Sequence, residues 1–300
     1  MATRKRTPVI LDTDIGTDID DTWALAMMLK CPELDVKLVT TDQGDTVYRA
    51  RIVAKMLEVA GRTDVDVGVG IRQPMAAEHK RQSDWVKGYR LKRYPGKVHE
   101  DGVGAMIETI MRSKDPVTLI CIGPVPNVGA ALDREPRIAR RARFVGMHGS
   151  INWSHCGDGR PIAEYNVKAD VVACRKAFTA PWEKTITPLD TCGKVRLVGE
   201  KFRAVANSAD PLARAVIENY RVWQRQGGWV KEPDRSSILF DCVAVYLAFA
   251  HRLLRMKRMG VRVTDDGLTI RDPKAARVNC ALEWKDLGAF EDLIVERLTR

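Results

Sequence analysis

The sequence predicts an α/β fold: an open, mostly parallel sheet flanked by helices, ending in a small hairpin and helix. Two observations predict it. Short apolar runs alternate with stretches whose apolar residues recur at helical spacing, the pattern of a parallel sheet covered on both faces. No repeat, low-complexity tract or linker interrupts the 300 residues, so residues 1–300 read as one domain, although the length also allows about two.

The elements follow in order. Residues 8–11 read as a strand, then comes an Asp/Gly/Thr loop, then a helix in TWALAMMLKC. Residues 36–41 read as a strand, 48–60 as a helix ended by Gly61, and 65–69 as a short strand. A helix at 104–113, an apolar strand at 117–122, a helix start at 128–132 and a strand at 144–147 continue the alternation. Residues 167–177 and 241–255 look helical, and NYRVWQRQGGWVKEP (219–233) reads as a loop. VRVTDDGLTI reads as a hairpin turning at DDG, and 290–298 as a closing helix. Ligands of such sheets sit at the carboxyl ends of the strands.

Composition excludes several classes. With 45% apolar and 29% charged residues the chain can build a core, which argues against disorder. No apolar run reaches the ~18 residues of a membrane span. MATRKRT is basic, but the PVIL after it is too short for a signal-peptide core, so an intracellular, cytoplasmic protein is expected. Seven cysteines, an odd number without CxxC, imply free thiols rather than zinc or disulfides.

The net charge of +10 could attract nucleic acid, a membrane or a phosphorylated substrate. The cations concentrate at 80–97 and 134–143. The first cluster interleaves Trp85, Tyr89 and Tyr94, a base-stacking pattern, and the second fits the face and end of a surface helix. Solvated surface explains both more simply, so neither nucleic acid nor membrane is an expected partner.

The informative segment is VILDTDIGTDIDDTWAL. Asp12, Asp14, Asp18, Asp20 and Asp21 crowd the passage from strand to helix. Helix capping explains one or two of them. It does not explain five, because like charges repel and raise one another's pKa. A bound cation resolves the repulsion, and all-oxygen ligands favour Ca²⁺ or Mg²⁺. DTD also begins the DxDx(T/V) motif of haloacid-dehalogenase-type phosphatases. Gly16 stands at that motif's fifth position, however, and Asp20-Asp21 has no place in it.

With its strand, DTDIG and helix-opening DD, the segment resembles the inosine–uridine-type nucleoside hydrolases, whose signature is DxDxGxDD. Asp20 and Asp21 align with the final pair, and Asp18 has no counterpart. The resemblance continues through TTDQGD (40–45), EVAGR (58–62), HEDGVG (99–104), CIGPVPNVGAAL (121–132), AEYNVKAD (163–170) and LFDCVAVYL (239–247). Pro126 stands where Thr is usual and Phe240 where His is usual.

The resemblance implies the Rossmann-like fold of that family and a Ca²⁺-dependent N-glycosidase that splits ribonucleosides into ribose and base. It implies Asp14, Asp21, Asp241 and the Pro126 carbonyl as metal ligands, with Asp14 as general base. Asp20, Glu164 and Asn166 would hold the ribose hydroxyls, and Asp45 and Asp158 stand at positions that often touch the sugar. Family members are commonly homodimers or homotetramers.

Phe240 cannot donate a proton, which leaves the leaving-group donor and the base preference open and raises a ribose- or nucleoside-binding protein as an alternative. Tyr220, Trp223 and Trp229 are candidates to stack on the base, with Gly227-Gly228 as the hinge of a lid, and Trp153 is a similar candidate. His148, at a strand end, is expected to face the sugar. His155 and His99 lie in loops, and His79 and His251 have no supporting context.

Overall fold

The computed structural model describes residues 5–75, 79–155 and 159–300. Its strands are β1 (Thr7–Thr13), β2 (Leu34–Thr41), β3 (Asp66–Val69), β4 (Val98–His99), β5 (Val117–Cys121), β6 (Ala142–Met147), β7 (Lys184–Thr187), β8 (Leu254–Val263), β9 (Thr269–Arg271) and β10 (Arg277–Trp284). They form one sheet in the order β4-β3-β2-β1-β5-β6-β7-β10-β8-β9. Pairing is parallel from β4 across to β10, whereas β8 joins β10 and β9 joins β8 antiparallel. The chain adds strands to one side of β1 as far as β4, then returns to lay β5 on its other side. The order therefore reverses between β1 and β5, and the crevice beyond their carboxyl ends is where such sheets bind ligands.

Alternation along β1 separates two cores. Val9 and Leu11 face the core of Trp23, Trp223, Tyr246 and Phe290, and Ile10 faces that of Met106, Phe144 and Phe178. The helix Asp20–Leu29 is buried over nearly its whole length in the first core, wedged between the sheet and the helix Pro211–Arg225. No helix of the described residues is long and apolar enough to cross a membrane.

The structure corrects several sequence expectations. The helix expected at 241–255 spans only Cys242–Leu247, and the chain turns before β8 begins at Leu254, whose strand partner is Trp284. The helix expected at 167–177 is two, Tyr165–Ala169 and Val171–Thr179. Asp170 between them leaves helical geometry and caps the second by accepting from Ala173 N at 2.9 Å. The first residues of the expected loop 219–233 belong to the helix Pro211–Arg225. In the basic segment 80–97, Trp85 and Tyr94 turn into the core, with Lys55 lying 4.0 Å from the Trp85 ring. They are unavailable for stacking on bases. The second basic segment is the end of the helix Pro126–Arg134, a turn at Pro136–Arg140 and the start of β6, rather than one surface helix. The hairpin at VRVTDDGLTI and the closing helix, Leu287–Thr299, are present. Cys31, Cys121, Cys174, Cys192, Cys242 and Cys280 are free and buried.

Candidate active site

The aspartate loop leaves β1 at the switch point and is held from below by a buried cation. Arg49, on the helix Thr46–Val59, donates to the carbonyls of Asp14, Ile15 (2.8 Å) and Gln43 (2.7 Å) and to Thr17 Oγ1 (3.2 Å). The turn itself needs Gly16: its φ is +120°, and a Cβ there would lie 2.7 Å from the Tyr48 ring. The Tyr48 hydroxyl donates to the Gly16 carbonyl and accepts from Gln82 N, both at 3.0 Å. The Gln82 side chain donates to the Asp18 carbonyl at 2.6 Å and accepts from Thr22 and Asn219. Trp223 Nε1 donates to the Thr17 carbonyl at 3.2 Å. The loop is thus fixed by backbone contacts, which leave its carboxylates to face one another.

Asp20, Asp21 and Asp241 converge, each buried, with one carboxylate oxygen apiece within 4.8 Å of the others. Asp20 and Asp21 open the helix Asp20–Leu29, and Asp241 comes from the far end of the chain, just before the helix Cys242–Leu247. Burial and then the neighbouring carboxylates hold all three well above the ordinary carboxylate range. Thr13 donates to Asp21 Oδ1 at 2.5 Å. This donor set, dense in hard oxygens and short of cations, fits a divalent metal ion.

Asp14 lies beside this group and raises the pKa of each of its members. Its own carboxyl is raised by burial, against the pull of Arg49. Gly123, just beyond β5, allows the approach, since a Cβ there would lie 2.8 Å from Asp14 N and 2.9 Å from its Oδ1. Burial, against the Ile19 N–H, pushes Asp18 up to about 7, with the Asp14 charge adding to the shift. Pro126 is buried and opens the helix Pro126–Arg134, where its missing N–H costs nothing.

Beyond β6, Glu164 is buried and accepts from the backbone of Gly149 (2.9 Å), Asn166 (2.7 Å) and Val167 (3.2 Å). Burial raises it to about 7 despite these donors, and Asp14 contributes, which places it near the aspartates. Asn166 donates to the carbonyls of Met147 (3.0 Å) and Ile122 (3.3 Å), bridging the ends of β6 and β5.

The remaining sequence candidates fare differently. Asp45 caps the helix Thr46–Val59 by accepting from Tyr48 N at 2.9 Å and pairs with Lys80 at 2.6 Å. Burial opposes its ionisation, but Lys80 and that N–H outweigh it and hold the carboxyl below its ordinary value. His148 lies in the core, with ring centroids 5.6 Å from Phe144 and 6.3 Å from Phe178, rather than at the sugar as expected. Burial pushes its pKa down to about 3. Tyr220 and Trp223 are core residues, which removes them as stacking candidates. Trp229 is 54% exposed, edge-on to Trp223 at 4.9 Å and with Arg81 at 5.5 Å from its ring centre. Trp153 is also exposed. Asp158 lies outside the described residues.

Five residues of this site are not singled out by the sequence. Arg49, Gln82 and Asn219 carry no motif signal. Asn127, inside a quoted block, donates to Asp12 Oδ1 (2.8 Å) and the Thr41 carbonyl (3.1 Å) and accepts from Ile71 N (2.8 Å). Asp42 was likewise within a block; it is fully buried against Asp12, close enough for the two carboxyls to share a hydrogen bond.

Comparisons with known proteins point to one family. A sequence model of the family described as inosine-uridine preferring nucleoside hydrolase matches residues 9–289. The pyrimidine-specific ribonucleoside hydrolase RihA of Enterobacter sp. (strain 638) is 32% identical over 70% of this chain and 69% of its own length. Its Salmonella arizonae counterpart is 29% identical over 97% of this chain and 98% of its own length. Among solved structures, a plant nucleoside hydrolase, the PpNRh1 enzyme, superposes with a TM-score of 0.83 at 22% identity, covering 98% of this chain and 99% of its own. A purine-preferring ribonucleoside hydrolase from Gardnerella vaginalis gives 0.74 at 21% identity, covering 98% of each chain. These structures share the fold, and the family match covers nearly the whole chain: the chain belongs to the inosine-uridine preferring nucleoside hydrolase family and is a hydrolase of N-glycosyl bonds.

Proposed function

We propose that the chain hydrolyses ribonucleosides to ribose and free base with Ca²⁺ as its metal. The observation that carries this reading is the buried convergence of Asp20, Asp21 and Asp241 beside Asp14 at the switch point. In this reading Asp14, Asp21, Asp241 and the Pro126 carbonyl hold the ion. A bound Ca²⁺ offsets the crowded negative charge and lowers the pKa of water beside it.

The chain's own groups do the rest. Asp14 accepts the proton of the attacking water as general base. Asp20, Glu164 and Asn166 grip the ribose hydroxyls and orient the anomeric carbon. The surrounding carboxylates stabilise the positive charge that develops on the sugar as the bond breaks. The same hydroxyl contacts disfavour 2′-deoxyribose, whose missing hydroxyl leaves buried polar groups unpaired. Asp45 and Asp158 are assigned to the sugar side on resemblance alone. Trp229, exposed beside Trp223, is assigned to stack on the base. The relatives named as pyrimidine-specific favour uridine and cytidine as the first substrates to try. The assembly proposed on the same resemblance is a homodimer or homotetramer, which light scattering measures directly.

The test is ribose release from a panel of pyrimidine and purine ribonucleosides, with Ca²⁺ and with chelator, for the wild type and Asp14→Ala. Turnover that needs both the metal and Asp14 is the expected result. Phe240, which has no proton to give, favours one second reading, a nucleoside-binding protein without turnover. Ca²⁺ binding with no release from any ribonucleoside would select it.

A further inference from the structure

Cutting a C–N glycosidic bond sends the bonding electrons to a nitrogen of the base, which leaves readily only if it gains a proton. The clustered carboxylates are on the metal and sugar side of the reaction, and Lys and Arg hold their protons too tightly at neutral pH. An imidazole is matched to the task. The chain has five histidines. His148 is enclosed by Phe144 and Phe178. His99 is paired with Asp66 at 2.8 Å, out on the β3–β4 edge of the sheet. His251 lies in the turn before β8, and His79 is exposed next to Lys80, whose ammonium is paired with Asp45.

His155 stands apart from these. Its ring meets that of Phe240 edge-on, centroids 5.8 Å apart at 84°, and Phe240 is the immediate neighbour of Asp241 in the carboxylate group. The placement is built in. A Cβ on Gly193 would lie 2.9 Å from His155 Cβ, so the backbone around 155 is pressed against the turn that follows Leu189–Cys192. Leu239 N donates to the Val195 carbonyl at 2.9 Å, joining that turn and the segment leading to Asp241 into one wall. Asp190 accepts from the backbone of Ile151 and Asn152, both at 2.9 Å, and anchors the loop leading to His155. His155 itself is exposed.

We propose that His155 is the general acid that protonates the departing base, its ring positioned by Phe240. This inference rests on the hydrolase reading above. In the step, the bond between the anomeric carbon and the base nitrogen breaks and its electron pair goes to that nitrogen, which takes a proton from the imidazolium of His155. Water adds to the anomeric carbon and gives its proton to Asp14. Solvent then reprotonates the imidazole and takes the proton from Asp14, so the net change is nucleoside plus water to ribose plus neutral base. Among the described residues, the segments packed against His155 carry Asp190, Lys194 and Asp241.

The test compares ribonucleosides with a riboside carrying a nitrophenolate leaving group, which departs without a proton. His155→Ala is expected to lower kcat on the best ribonucleoside by ~10²–10⁴-fold. The nitrophenyl riboside should change by less than about 3-fold, because its leaving group asks nothing of an acid. The alkaline limb of the kcat profile on the ribonucleoside should disappear in the variant. His155→Gln should behave like His155→Ala, and adding Phe240→His to His155→Ala should restore part of the lost rate by returning an imidazole to the same wall. Equal losses on both substrates would assign His155 a structural role and overturn the proposal, as would unchanged ribonucleoside turnover. A wild type active on the nitrophenyl riboside but on no ribonucleoside would overturn it while leaving the glycosidase site intact. A wild type inactive on both would overturn the hydrolase reading itself.

Discussion

Two groups of buried carboxylates lie at the same end of the sheet and meet opposite fates. Asp12 and Asp42 face each other inside the protein. Asp12 accepts from Thr40 Oγ1 at 2.5 Å and from Asn127 Nδ2 at 2.8 Å, and burial raises it to about 6 while Asp42 is held well above the carboxylate range. Thr40 and Asn127 hold Asp12 Oδ1, whereas Asp12 Oδ2 and both Asp42 oxygens find no donor among the described residues, so this pair relies on a retained proton. Asp20, Asp21 and Asp241 converge as three, with Asp14 beside them: Thr13 donates to Asp21, Asp20 and Asp241 share a hydrogen bond, and Arg49 directs its hydrogen bonds to backbone carbonyls, the Thr17 hydroxyl and Met75. The first group is a strut. The second keeps an uncompensated charge that a cation from solution can meet. Two carboxyls can share one retained proton, whereas three with Asp14 beside them crowd together more charge than such sharing relieves.

The comparison breaks most visibly by mutation of the second group. Asp21→Asn should lose more than ~100-fold in kcat/KM and in Ca²⁺ affinity by calorimetry, since even outer-shell partners of a metal site cost 10–100-fold. Comparable Ca²⁺ affinity in that variant would remove the distinction between the groups.

Next in size is the coupling of metal, pH and stability. The raised carboxyls keep their protons in the folded chain to higher pH than in the unfolded chain. The metal-free protein is thus favoured below the ordinary carboxylate range and loses that stability as pH rises through about 6 for Asp12 and about 7 for Asp18 and Glu164. Thermal melts in chelator should fall from pH 5 to pH 8. Added Ca²⁺ should raise the melting temperature more at pH 8 than at pH 5, with about 2.7 kcal/mol gained at a concentration 100 times Kd. A metal effect independent of pH would separate the ion from these carboxyls.

Smaller effects belong to the strut. Asn127→Ala strips a donor from Asp12 and should cost ~1–3 kcal/mol in urea melts while leaving Ca²⁺ affinity within a few-fold. Asp42→Asn should change least, within about 1 kcal/mol, because an amide offers Asp12 the same donor as a protonated carboxyl. A collapse of metal binding in Asp42→Asn would merge the two groups into one.

The same contrast explains what could be read from the sequence. The first half of the site was legible because one short segment carries strand, turn and helix together, and five aspartates cannot share it without a cation. Asp241 was reachable only through resemblance, since nothing local ties it to Asp20 and Asp21. Arg49, Gln82 and Asn219 were not legible: they act on backbone atoms or on one another across long separations, and such bonds leave no residue pattern. In the fold, the parallel strands beside β1 announced themselves through alternation with helices. β7 and β10 did not, being a four-residue strand and one whose mixed sequence, RVNCALEW, lies between a parallel and an antiparallel neighbour. The helix Cys242–Leu247 was read too long because apolar residues continue past Ala248 as the chain turns towards β8.

Arg49 has one further consequence. By gripping the carbonyls of Asp14, Ile15 and Gln43, it sets the shape of the aspartate loop through the main chain. A loop shaped this way would spend little of a metal's binding free energy on ordering the chain, which leaves more of it for affinity.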